Sequence, residues 1–209
     1  MIKYNQARFL VYASLFAILT FVGALIRLPF FPAPISLQTF FVVLSGLALG
    51  PRYGAASQML YLFLGLAGLP IFTNGGGPAY VLQPTFGYLL GFPAASYFAG
   101  RLVYGTAPAI EPFRPVKPAR LFVIALLALM LVFVPGVFYL WFNLNYFAGG
   151  NVTIVQAFML GAGVFLPGDF IKAGVLVALY RLLQRRLSTD SVGAARPPAH
   201  TIEYTDKPH

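Results

Sequence analysis

Long unbroken apolar runs govern what this chain can fold into. One of them reads LFVIALLALMLVFVPGVFYLW from residue 121. A helix of about 20 apolar residues spans the roughly 30 Å of bilayer hydrocarbon. Without water, every backbone N–H and C=O must pair within the chain, which leaves helices or a closed barrel. A barrel would show short alternating segments, and these runs do not alternate. Composition agrees: 59% of the 209 residues are hydrophobic and 9% are charged, where soluble domains carry about 25%. Mean hydropathy is +0.79. The sequence predicts an all-α integral membrane protein.

Six spans are expected, at about 7–28, 37–50, 53–70, 84–104, 119–146 and 153–186. Gly50-Pro51 is a strong breaker, because proline lacks an N–H and restricts the residue before it. The second and third spans should therefore form a tight helical hairpin. The run Phe9–Ile26 has a basic flank like a signal peptide, but it is long and lacks a cleavage site, so it reads as a retained helix. The expected organisation is a bundle over 1–187 and a polar, disordered tail over 188–209.

Charge sets the orientation. Twelve of the fourteen basic residues fall at the two termini and in the two–three and four–five connections. The positive-inside rule then places both termini in the cytoplasm, as an even number of spans requires. The net charge of +9 is thus a topological signal and an attraction to anionic lipid, not a nucleic-acid footprint. Tyr139, Trp141 and Tyr146 read as an interfacial aromatic belt. The chain has no cysteine, and His200 and His209 lie in the polar tail, so no metal site is expected.

Against this background stands FLPGDFIKAG, residues 165–174. Asp169 is the sole acidic residue within a span, and Lys172 the sole basic residue well inside one. A spacing of three puts them on neighbouring positions of one helix face. A charge at the bilayer centre costs about 2.5–3.5 kcal/mol on insertion scales. The pair is therefore expected to face the bundle interior, as a polar ligand site or as a structural ion pair. Pro167-Gly168 should loosen the helix beside it. The outer connections RLPFFPAPISLQ and PIFTNGGGPAYVLQP exceed what a turn needs and could fold over the mouth of a bundle. Small residues spaced by four (Ala13 and Ala17, Gly46 and Gly50, Gly87 and Gly91) permit close helix approach. Internal packing is the default for them. A docking face on the first helix is the alternative. No GxxxxGK[ST], HExxH or GxSxG motif occurs, so neither ATP hydrolysis by a phosphate loop nor those hydrolase chemistries are expected.

The stretch PAPISLQTFFVVLSGLALGPRYGAASQMLYLFLGLAGLPIF, with PTFGYLLGF and FLPGDFIKA, resembles the BioY family over residues 10–185. These are the biotin-specific substrate-binding (S) components of energy-coupling-factor (ECF) transporters. The resemblance implies a six-helix bundle in the bacterial cytoplasmic membrane that captures biotin from outside. It implies energising partners, a transmembrane coupling protein and a pair of ATPase subunits. It implies no enzymatic step and no cofactor. Asp169 and Lys172 match the family's GD-x-x-K segment and are expected to contact biotin, with Asn74 and Tyr88 as further contacts. Ala13 and Ala17 are expected to meet the coupling protein. The sequence departs from GPTGGYL at Gln83 and Phe86, where glycines are usual, so Phe86 could reshape the wall beside Tyr88. Three other readings predict different behaviour: a transporter driven by an ion gradient, an intramembrane enzyme using Asp169 and Lys172, and a salt-bridged scaffold.

Overall fold

The computed structural model describes residues 2–28, 35–106 and 113–194. The proline-rich connection over 29–34 and the tail beyond 194, with both histidines, lie outside the described residues. Helix α1 runs Ile2–Leu25, α2 Gln38–Leu66, α3 Phe86–Tyr104, α4 Pro118–Tyr146, α5 Ile154–Phe158 and α6 Leu166–Ala194. Two short antiparallel strands, β1 (Arg27–Leu28) and β2 (Ile35–Ser36), close the connection after α1. Among the described residues three stretches are long and apolar enough to cross a membrane: Ala7–Leu25, Pro118–Tyr146 and Ile154–Leu187.

The expected hairpin is present. Gly50 has φ 78° and ψ −179° inside α2, a backbone conformation that favours glycine, and Pro51 follows. The chain reverses there, so α2 is two arms, 38–49 and 51–66. The Gln58 amide of the second arm donates to Ser45 of the first at 3.1 Å, and the Gln38 amide donates to the Tyr61 hydroxyl at 2.6 Å. The turn is tighter than the sequence implied, since Arg52 is already helical.

The six rods among the described residues alternate in direction, and glycines set how closely they pack. A Cβ at Gly46 would strike the Ser96 carbonyl of α3. One at Gly54 would strike Gly46 and the Ser96 side chain, and one at Gly100 would strike Gly50 and Pro51. Gly87 and Gly91 of α3 likewise meet Pro135, Tyr139 and Val132 of α4. A buried polar chain crosses the same seam: Thr20 to Gln58, Gln58 to Ser45, and Ser45 to Ser96 at 2.8 Å. In an apolar interior such groups are costly unless paired, and here every one is paired.

The last rod departs from expectation. Its irregularity is a π turn at Met159–Gly163, ahead of Pro167-Gly168. Pro167 sits in the first turn of α6, where its missing N–H has no intrahelical partner to lose. No proline follows until Pro197, and α6 is helical through Ala194, into the segment expected as tail.

These contacts predict that Gly46→Ala lowers stability by about 1–3 kcal/mol through overpacking. Gly174→Ala meets nothing within 4 Å and should be neutral or stabilising by up to about 1 kcal/mol. Thermal unfolding of the purified variants in detergent measures both.

Candidate functional site

A narrow cavity lies where α2, α3, α4 and α6 converge, beneath the connections after α1 and α2. Its lining joins Ser36, Gln38 and Thr39 to Thr73, Tyr80, Thr85 and Tyr88, and includes Asp169 and Lys172. Its apolar share is Leu89, Phe92, Val132, Phe133 and Phe165. The free volume is about 60 Å³, room for a few waters, where pockets for drug-sized ligands hold about 300–1,000 Å³.

Asp169 stands in the first turn of α6, where the helix dipole favours a carboxylate. Its Oδ1 accepts from Lys172 Nζ at 2.8 Å, and both side chains are at most a tenth exposed. Nζ also donates to Thr39 Oγ1 at 3.0 Å. Lys172 has three N–H donors, so one remains beyond these two bonds. Asp169 Oδ2 is buried and has no hydrogen-bond partner. A buried carboxylate oxygen in that state is costly, and it sits in a cavity lined by further polar groups.

Two connections roof the site, and each is pinned. Leu37 N donates to Gly23 O at 3.1 Å, which seats the chain after β2 on the end of α1. In the second connection Phe72 N donates to Gly75 O at 2.8 Å and Gly77 N to Gly65 O at 2.7 Å. The turn at Pro78–Leu82 is held from α4: Asn143 donates to Leu82 O at 2.7 Å, and Tyr139 donates to Val81 O. That turn carries Tyr80, whose hydroxyl lies between Thr73 and Thr85. Trp141 donates to Val152 O at 3.0 Å. Tyr139 and Trp141, expected as a belt, thus also anchor loops.

Of the residues expected in the site, Asp169, Lys172 and Tyr88 line the cavity. The Tyr88 hydroxyl donates to Gly161 O at 2.8 Å. Asn74 is not among the lining residues, although its neighbour Thr73 is. Its Oδ1 accepts from Arg27 Nη1 at 2.9 Å, which ties the two roofing connections together. Phe86 is not among the lining residues; it is buried against Tyr139. Ala13 and Ala17 are also buried, Ala13 with Ala48 and Leu49, Ala17 with Val42 and Tyr61. Their small size serves packing on α2, while Val11, Leu15 and Ile18 of α1 face outward.

Chemistry, more than size, marks this cavity. A wider groove of about 350 Å³ opens between α4 and the α5–α6 rod, lined by residues such as Met130, Val134, Phe138 and Phe158. It offers no polar side chain to orient a ligand. Among the described residues no cluster of His, Cys, Asp or Glu could hold a metal.

Lys172→Met should cost about 3–5 kcal/mol, because it leaves Asp169 buried and uncompensated. Asp169→Leu combined with Lys172→Met should recover most of that loss. Thermal unfolding without ligand distinguishes the single from the double variant.

Known proteins share this architecture. The chain is 38% identical over 174 residues to a probable biotin transporter BioY of Lysinibacillus sphaericus, covering 83% of this chain and 85% of that protein. It is 36% identical over 184 residues to the biotin transporter BioY of Thermotoga maritima, covering 88% and 99%. The crystal structure of the S-component for biotin from an ECF-type ABC transporter superposes with a TM-score of 0.73 at 26% identity, covering 88% of this chain and 95% of that one. A profile of the BioY family matches residues 1–189. The chain belongs to the BioY family.

Proposed function

We propose that this chain captures biotin at the outer face of a bacterial cytoplasmic membrane, as the S component of an ECF-type transporter. Its relatives are biotin transporters. The observation that carries the site assignment is the unpartnered, buried Oδ2 of Asp169. Biotin offers two ureido N–H donors beside a carbonyl acceptor. One N–H donates to Oδ2, and the remaining Lys172 proton goes to the ureido carbonyl. The aromatic and aliphatic wall takes the sulfur ring and the valerate chain. A site that loses paired polar groups when the ligand lacks them rejects such analogues.

A cavity of about 60 Å³ is too small for biotin, and on this reading the roof opens to admit it. The two roofing connections separate at the Arg27–Asn74 contact and close again over the ligand. Asn74 joins the binding residues when it exchanges Arg27 for biotin. The six rods cross the membrane with both termini inside. Arg52, Arg101, Arg114 and Arg120 stand at the bundle end opposite the site, which supports this orientation. Biotin therefore enters from the outer side.

Energy comes from separate subunits, a coupling protein and ATPases, since the chain carries no phosphate loop. The coupling protein approaches α1. With Ala13 and Ala17 packed on α2, contact through that pair requires α1 to part from α2. The chain performs no covalent step.

Calorimetry should show tight biotin binding by the purified protein. Asp169→Asn should weaken it by about tenfold to a hundredfold, the value of a charge-assisted hydrogen bond of roughly 1.5–3 kcal/mol. A biotin methylated on its ureido nitrogens should bind the wild-type protein poorly. No binding by folded wild-type protein would overturn the biotin assignment. In proteoliposomes, accumulation of biotin should require the ATPase partners. Uptake by the chain alone that tracks a proton gradient would replace this reading with a gradient-driven one.

A further inference from the structure

Tyr88 projects from α3 into a gap made by two glycines of other rods. A Cβ on Gly136 of α4 would run into its ring, and a Cβ on Gly161 of the π turn would run into its hydroxyl and into the tip of Leu140. Both glycines are buried. The hydroxyl donates to the Gly161 carbonyl at 2.8 Å. A π turn shifts the backbone bonding by one residue, and this carbonyl gains a side-chain donor. The ring then forms an aromatic cluster with Phe133 and Phe165, at centroid distances of 6.2 and 6.4 Å. All three rings line the cavity.

We infer that Gly136 and Gly161 are positioning residues for biotin binding. They form a seat that holds the Tyr88 ring back from the ligand space and turn its hydroxyl away from the ligand. This rests on the biotin reading above. The cavity is narrow, so it has little slack: a methyl group at either glycine moves the ring toward the ligand. Tyr88 therefore offers biotin a ring surface, and its hydroxyl belongs to the joint between α3 and the α5–α6 rod. The π turn is part of the same device. It aims the Gly161 carbonyl at α3 while leaving no side chain in the way.

The test is a double-mutant cycle read by biotin calorimetry and by thermal unfolding without ligand. Gly161→Ala should weaken biotin binding at least tenfold. Tyr88→Phe should weaken it no more than about threefold, being a positioning change only. In the Tyr88→Phe background, where no hydroxyl remains to be struck, Gly161→Ala should add less than about threefold. Gly136→Ala should likewise weaken binding with Tyr88 present and add little in the Tyr88→Ala background. The inference is overturned if the penalties simply multiply. It is also overturned if Gly161→Ala binds like wild type, or if Tyr88→Phe alone abolishes binding at an unchanged melting temperature. If wild-type protein does not bind biotin, the functional reading fails. The seat is then judged by the unfolding data alone, where most of the loss from Gly161→Ala should be recovered by Tyr88→Phe, the remainder being contact with Leu140.

Discussion

Two opposite charges inside an apolar bundle are the constraint from which the rest follows. Asp169 and Lys172 are tolerable there because they bond each other at 2.8 Å and because Thr39 of α2 accepts a second Lys172 proton. That requirement dictates the assembly. The first turn of α6 must meet the start of α2, so that Thr39 can accept from Lys172. The hairpin at Gly50 must bring its second arm back beside the first, so that Tyr61 can hold Gln38. One carboxylate oxygen is left over. In a medium that penalises unpaired polar groups, a group left open in a cavity is where a ligand gains most by binding.

The scaffold around that pair is built by close backbone approach. Lipid and apolar side chains attract each other about equally, so membrane helices associate through packing and interhelical hydrogen bonds. Gly46, Gly54 and Gly100 let α3 press into the hairpin, and Gly87 and Gly91 let it press onto α4. The Thr20–Gln58–Ser45–Ser96 chain fixes the register of that seam with directional bonds. Close-packed rods on one side and loops held by a few hydrogen bonds on the other are the two ends of this bundle.

Much of this was legible in the sequence for stated physical reasons. The hairpin follows from Gly50-Pro51, and the polar pair announces itself because charges are otherwise kept out of the apolar runs. The helix spacing of Gly46, Gly50, Gly87 and Gly91 indicates close approach. Spacing does not name the neighbour, however: Ala13 and Ala17 pack on α2, the internal packing that is the default for such pairs. The π turn carries no proline, and its two glycines are one small-residue pair among many in this chain, so the expected irregularity fell on Pro167-Gly168, which the start of a helix accommodates. Loop register has no periodicity to fix it, and the cavity receives Thr73 where Asn74 was expected. Thr39, Phe133 and Phe165 were missed because a threonine or phenylalanine on an apolar helix looks like ordinary packing. The polar cluster Ser36, Gln38 and Thr39 at the mouth of an apolar run was a usable signal for that wall.

We propose that biotin is recognised at the open carboxylate oxygen of Asp169. A structure of the protein with biotin bound tests it most directly. The account predicts a ureido nitrogen within about 3 Å of Oδ2, the length of an N–H···O hydrogen bond, with the Asp169–Lys172 pair intact beneath it. Biotin bound elsewhere in the bundle, or bound with Oδ2 still unpartnered, would contradict it.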